Sequence, residues 1–226
     1  MFVVALAILI GSMIILWVLS PETQFELFWL STALLVVGLI SAVSAVRLTN
    51  QWVRTPRPEE VLDEGLKGLG NNYILFHYWL PAHHVLVAPQ GVFCITVCAQ
   101  NGAFGVRGDR WYTRVGLLAR LLQFFRQEQI GNPTRDATRS AVRVEFWIDR
   151  VIPDADVTVE PVVVFTAPGA TFEAEAPTIP VLYADSQREP NLRDYVTGLS
   201  KDEGRSPGTT REQRRAIEAA ALGSGE

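Results

Sequence analysis

Residues 83–98, His-His-Val-Leu-Val-Ala-Pro-Gln-Gly-Val-Phe-Cys-Ile-Thr-Val-Cys, constrain the fold more than any other stretch of the chain. Two β-branched and apolar runs flank Pro89-Gln90-Gly91, a turn signal of hairpin length, so the segment reads as two antiparallel strands. Strand periodicity then places Cys94, Thr96 and Cys98 on one face of the second strand. Cys94 and Cys98, four residues apart on a strand, have Cα atoms roughly 13 Å apart and cannot pair with each other. Free thiols fit a reducing cytoplasm.

The surrounding sequence predicts a mixed α/β chain. Residues 58–69 open with proline and acids and carry apolar residues at 62, 66 and 69, the pattern of a helix start, stopped by Gly70-Asn71-Asn72. An aromatic and β-branched run at 73–80 precedes the hairpin, so three strands follow one helix. Phe104-Gly105-Val106 is a candidate short strand before Trp111-Tyr112-Thr113, and the glycine spacing there is not that of a phosphate loop. An amphipathic helix is expected over 114–130 and a second over 134–150, separated by Gly131-Asn132-Pro133. A strand at 157–166 interrupted by Pro161, a shorter one at 179–183 and a short helix at 191–198 follow. Beyond Leu199 the composition is that of a linker, after which Thr209-Thr210-Arg211-Glu212 resembles a capping box opening an Ala-rich helix closed by Gly223. Its thin apolar face predicts a helix only marginally ordered alone.

The front of the chain is different. Residues 2–19 run apolar with only Gly11 and Ser12 as interruptions, and residues 25–48 repeat this with Glu26 near the start and Arg47 near the end. Each is long enough to cross ~30 Å of hydrocarbon as a helix. The run at 2–19 lacks the basic start, short core and small-residue cleavage site of a signal peptide. Residues 20–24 form a tight turn, which makes the pair a transmembrane helical hairpin. Arg47, Arg54 and Arg57 follow the second run, whereas the turn carries Glu22 and no Lys or Arg, so the positive-inside bias puts both termini in the cytoplasm. The expected organisation is two spans in 1–48, a connector at 49–57 short enough to hold the next domain near the bilayer, a domain at 58–200, and a linker with the marginal helix at 201–226. The location implied is a bacterial-type inner membrane.

A formal charge of −4 argues against the whole chain acting as a nucleic-acid binder, but the charge is unevenly placed. Residues 101–150 carry nine Arg against five Asp and Glu, and residues 151–203 carry three cations against ten acids. Arg135, Arg139 and Arg143 recur every fourth residue and form one helix face. The plain reading is a solvated face balanced by the acidic segment; the alternative is an anion- or lipid-facing patch, with weak nucleic-acid binding as one consequence.

The order helix, strand, hairpin, Trp-bearing loop, helix beginning Asn132-Pro133 and strand Val162-Val163-Val164-Phe165, together with His84, Pro89, Gly91 and Trp111, resembles the nuclease-related domain (NERD) family over roughly residues 58–200. The resemblance implies a PD-(D/E)XK nuclease-like fold, a mixed sheet flanked by helices, here preceded by the membrane hairpin. Aligned without gaps on Pro89 and Gly91, it puts His83 at the family's metal-binding Asp, Thr96 at its Glu and Cys98 at its Lys. Glu59 falls on a family acidic position with Pro58 in place of the preceding Gly, and Asp136 stands where the Gln after Asn-Pro would be.

A hard cation such as Mg²⁺ needs carboxylate oxygens to be held for phosphodiester hydrolysis, and the hairpin supplies none at these positions. The expectation is therefore a catalytically degenerate domain that binds or scaffolds, with no cofactor, its partners being membrane lipids and a protein that the sequence does not identify. An alternative is a membrane-tethered nuclease using Mg²⁺ or Mn²⁺ at a site rearranged around Glu59, Asp109 or Asp136. A third reading makes His83 and Cys98 a zinc- or thiol-based site within the cluster His77, His83, His84, Cys94 and Cys98, although no Cys-x2-Cys or His-x3-His spacing is present.

Overall fold

The computed structural model describes residues 57–114, 130–153, 156–199 and 208–223 and, at the front, residues 10, 11, 14, 32, 33, 36–41 and 44. The chain divides into two units, residues 1–55 with 116–129, and residues 56–115 with 130–226. In the first unit every described residue is helical, and Ile10, Ile14, Val36, Val37, Leu39 and Ile40 expose large apolar side chains. The two expected spans and the helix expected over 114–130 lie almost wholly outside the described residues. Among the described residues no helix is long and apolar enough to cross a membrane.

The second unit is a mixed α/β structure. Its elements are α1 (Pro58–Gly65), β1 (Ile74–His77), β2 (His84–Ala88), β3 (Gly91–Cys98), β4 (Gly102–Arg107), β5 (Arg110–Thr113), α2 (Pro133–Val151), β6 (Val159–Phe165), β7 (Ala170–Glu175), β8 (Val181–Tyr183), α3 (Leu192–Gly198) and α4 (Arg211–Gly223). One sheet has the order β1-β2-β3-β6-β8 and a smaller one β5-β4-β7. β2 and β3 form the hairpin read from the sequence, pairing Ala88 with Gly91 across a two-residue turn. Gly91 has φ of +142°, a conformation side chains disfavour. β3 runs parallel to β6, and β6 to β8. Pro161 is tolerated inside β6 because β8 joins only at Val163, leaving the proline beside β3 alone.

Helices cover both faces of the larger sheet, which explains why its central strands are apolar at nearly every position. On one face Leu62 and Leu66 at the α1 end and Leu192 and Val196 from α3 meet Leu86, Phe93, Ile95, Val162 and Val164. On the other, Ala141, Val144 and Ile148 from α2 and Ile217 and Ala221 from α4 meet Val85, Val87, Val92 and Cys94. α4, expected as a marginal helix outside the domain, thus belongs to the core, with Ile217 and Ala221 fully buried. Its cap is also one residue later than read: Thr210 Oγ1 accepts from Gln213 N–H at 3.1 Å and Gln213 Oε1 accepts from Thr210 N–H at 2.7 Å.

β7 has no counterpart in the sequence reading. It pairs parallel to β4, and its Glu173 and Glu175 reach Arg114 and Arg107, each at 2.6 Å. Among the described residues these two glutamates of the acidic segment pair with arginines of the small sheet, and no ion pair reaches Arg135, Arg139 or Arg143. A third core, built on Phe104, Phe165, Cys98, Ala137 and Tyr183, joins the two sheets to the start of α2.

Candidate functional site

The strand register creates a notch in the larger sheet. β2 begins at His84 opposite Ile95, so Thr96, Val97 and Cys98 continue β3 with only β6 as a neighbour. A cleft of about 590 Å³ opens there. Its walls come from Pro58 at the start of α1, Tyr78, Ala82 and His83 in the β1–β2 connection, His84, the end of β3 through Gln100, and Asp136, Arg139, Ser140 and Arg143 of α2. α2 is fixed at this end by Asn132, whose side chain accepts from Arg135 N–H at 3.1 Å, with Pro133 in its first turn. Trp111 Nε1–H donates to Thr134 Oγ1 at 2.8 Å, tying β5 to the same turn. Trp111 and Asn132-Pro133 thus have structural work.

Of the residues singled out from the sequence, His83, Thr96 and Asp136 come together in the cleft, and Arg139 and Arg143 join them. Arg135 does not line it. Glu59 lies next to Pro58 on α1, and its charge reaches the Tyr78 phenol, whose pKa is raised first by burial and then by Glu59. Cys98 does not line the cleft: it is 2% exposed and packs in the core between the sheets, even though strand periodicity puts it on the face of Thr96. Asp109, in the β4–β5 turn, accepts a hydrogen bond from Thr178 and lies outside the cleft.

These placements weigh on the chemistry. Burial pushes the Cys94 and Cys98 thiols up to about 12, with Arg143 opposing the shift at Cys94 and Asp136 adding to it at Cys98, so neither supplies a thiolate near neutrality. Among the described residues no three His, Cys, Asp or Glu side chains converge as a metal site. The donor set of the cleft, one carboxylate beside two guanidinium groups, does not fit a hard divalent cation.

A hydrogen-bonded chain absent from the sequence-based expectations runs along the cleft edge. Asp63 Oδ1 on α1 lies 3.3 Å from His77 Nε2, and His77 Nδ1 lies 2.8 Å from His84 Nδ1. His77 and His84 are directly opposed across β1 and β2, so their rings share a face. One neutral arrangement satisfies both contacts: His77 donates through Nε2–H to Asp63 and accepts at Nδ1 from His84 Nδ1–H, which leaves His84 Nε2 as an acceptor. The available signal was Asp63 one helical turn after Glu59, but its partner required the strand register.

His84 is 4% exposed, and its pKa falls to about 4, first through burial and then through repulsion from His77 and His83, with Asp63 opposing. The unfolded imidazole titrates near 6.5. Unfolded chains therefore bind a proton that folded chains refuse, and this contribution to stability, complete above pH ~6.5, is lost as pH falls to about 4, on the order of 3 kcal/mol in all. Urea unfolding of the full chain between pH 7 and pH 4 should show this loss, and a His84→Gln variant should lack that part of the slope. Equal slopes in the two proteins would remove the argument.

Tyr78 occupies the left-handed region at φ +65°, held by its N–H donating to His83 C=O at 2.7 Å. For an aromatic residue this costs on the order of 1–2 kcal/mol. The Tyr78 ring lies edge-on to His83 and His84, with centroids 5.7 and 5.2 Å away.

No protein-family model, characterised protein or solved structure matches the chain.

Proposed function

We propose that the chain is a membrane-anchored protein whose domain is NERD-like, of PD-(D/E)XK nuclease descent, catalytically degenerate and acting as a binding or scaffolding module at the cytoplasmic face of the inner membrane. The observation that carries this reading is the content of the notch. Where the family places metal-binding acids and a lysine, this chain has His83, Thr96 and a buried Cys98, and Asp136 is the carboxylate that lines the cleft among the described residues. A lone carboxylate cannot hold and activate Mg²⁺ or Mn²⁺ for in-line hydrolysis, and Arg139 and Arg143 favour an anion there instead. The half-exposed apolar side chains of Ile10, Ile14, Val36, Val37, Leu39 and Ile40 support lipid contact by the front of the chain.

The full chain in detergent micelles, incubated with single- and double-stranded DNA and RNA and either Mg²⁺ or Mn²⁺, should leave every substrate intact, with Glu59→Ala indistinguishable from the wild type. Metal-dependent cleavage that disappears in Glu59→Ala would establish the rearranged nuclease instead. Retention on anionic liposomes is expected to fall with salt and to weaken when Arg139 and Arg143 are both replaced by Ala.

A further inference from the structure

We infer that the notch cleft binds a small phosphate monoester that also carries hydroxyl groups, a ribonucleoside monophosphate being the representative case; this rests on the binding reading above and narrows its ligand. The cationic half of the site is preorganised. Arg143 Nε–H donates to Pro81 C=O at 3.2 Å and an Nη2–H donates to Ser140 Oγ at 2.9 Å, which fixes the guanidinium plane and leaves further N–H groups for an oxyanion. Ser140 Oγ, having accepted that bond, keeps its own O–H to donate. Arg139 lines the same wall and makes no ion pair among the described residues.

The other half of the cleft calls for donors. Gln100 lines the cleft, and its Oε1 is buried without a hydrogen-bond partner among the described residues. In the neutral arrangement in which His77 donates to Asp63, His84 Nε2 is a second acceptor at this side of the cleft. A bare oxyanion cannot satisfy these acceptors, because like poles would face each other; ligand hydroxyls can. The cleft volume of about 590 Å³ lies in the range of small-molecule sites, roughly 300–1,000 Å³. The Tyr78 ring lines the cleft, is 61% exposed and gives a flat wall on which a planar group can stack.

The test is titration calorimetry on the full chain in detergent micelles with AMP, inorganic phosphate, adenosine and a dideoxy AMP analogue lacking both ribose hydroxyls. AMP is expected to bind about tenfold or more tighter than the dideoxy analogue and than inorganic phosphate, the factor that one hydrogen bond to an orphaned acceptor supplies. Arg143→Ala should weaken AMP and phosphate together by at least about tenfold. Equal affinity for AMP, its dideoxy analogue and phosphate would overturn the inference and reduce the site to an anion patch, leaving the binding reading intact. Absence of any AMP binding also overturns it, whereas metal-dependent cleavage of nucleic acid overturns the binding reading itself. The results that would overturn the inference come from the wild-type chain and do not depend on whether Arg143→Ala folds.

Discussion

Replacing Phe165 with alanine is expected to destabilise the domain by about 3–5 kcal/mol, a large part of the total stability of a typical domain. Phe165 ends β6 and is 1% exposed. Its ring stacks on Phe104 of β4 at 5.4 Å and on Phe172 of β7 at 5.2 Å, with Trp111 and Tyr183 at 6.2 and 6.4 Å. The side chain therefore fills the junction between the two sheets. Strands on both sides of it are held by their own hydrogen bonds and cannot collapse into the cavity, which puts the cost in the upper range for a large-to-small change. Urea unfolding followed by far-UV circular dichroism reads the effect directly. A loss below about 1 kcal/mol would mean that the small sheet does not unfold in the same cooperative step as the large one.

Gly65→Ala is expected to cost at least about 3 kcal/mol, at the upper end of overpacking effects. Gly65 closes α1, and a Cβ there would lie 1.9 Å from the carbonyl oxygen of Ala184, a backbone atom at the end of β8. Neither partner can rotate away, so α1 must lift from the sheet. That movement would also draw Asp63 from His77 and release the tautomers of the His77–His84 pair. Two readouts follow: a lower unfolding midpoint, and a change in the imidazole nitrogen chemical shifts of His77 and His84. A variant that melts as the wild type does, with unaltered shifts, would show that α1 approaches Ala184 less closely than the structure has it.

The hairpin was legible because its signals are local. The turn Pro89-Gln90-Gly91 and the continuous apolar runs set β2 and β3 to within a residue or two, and the parity of Cys94, Thr96 and Cys98 followed from strand geometry alone. α2 and α3 were legible for the same reason, each being opened by an asparagine whose side chain caps the next turn. β7 was not. Its Phe172-Glu173-Ala174-Glu175 alternation is present, but glutamates are poor strand formers, and only the arginines of β4 and of the residue after β5 make them acceptable there. α4 was not legible as part of the domain, because its thin apolar face is marginal alone and sufficient only once Ile217 and Ala221 enter a core that the sheet has already built.

The site divides along the same line. From the sequence alone came the chemical inventory: a hairpin with His83, Thr96 and Cys98 and no carboxylate or lysine, and a helix face with Asp136, Arg139 and Arg143. Residue identity fixes charge, softness and donor count, so the absence of a Mg²⁺-binding set at those hairpin positions needed no coordinates. Tertiary structure decided which of these residues meet. The register that starts β2 opposite Ile95 opens the notch, the packing of α2 across it brings Arg139 and Arg143 to the cleft, and the same packing buries Cys98 away from it. Contacts between residues far apart in sequence depend on register and on the faces helices present, and neither is encoded within any single segment; the Asp63–His77–His84 chain, spanning three elements, exists only at that level.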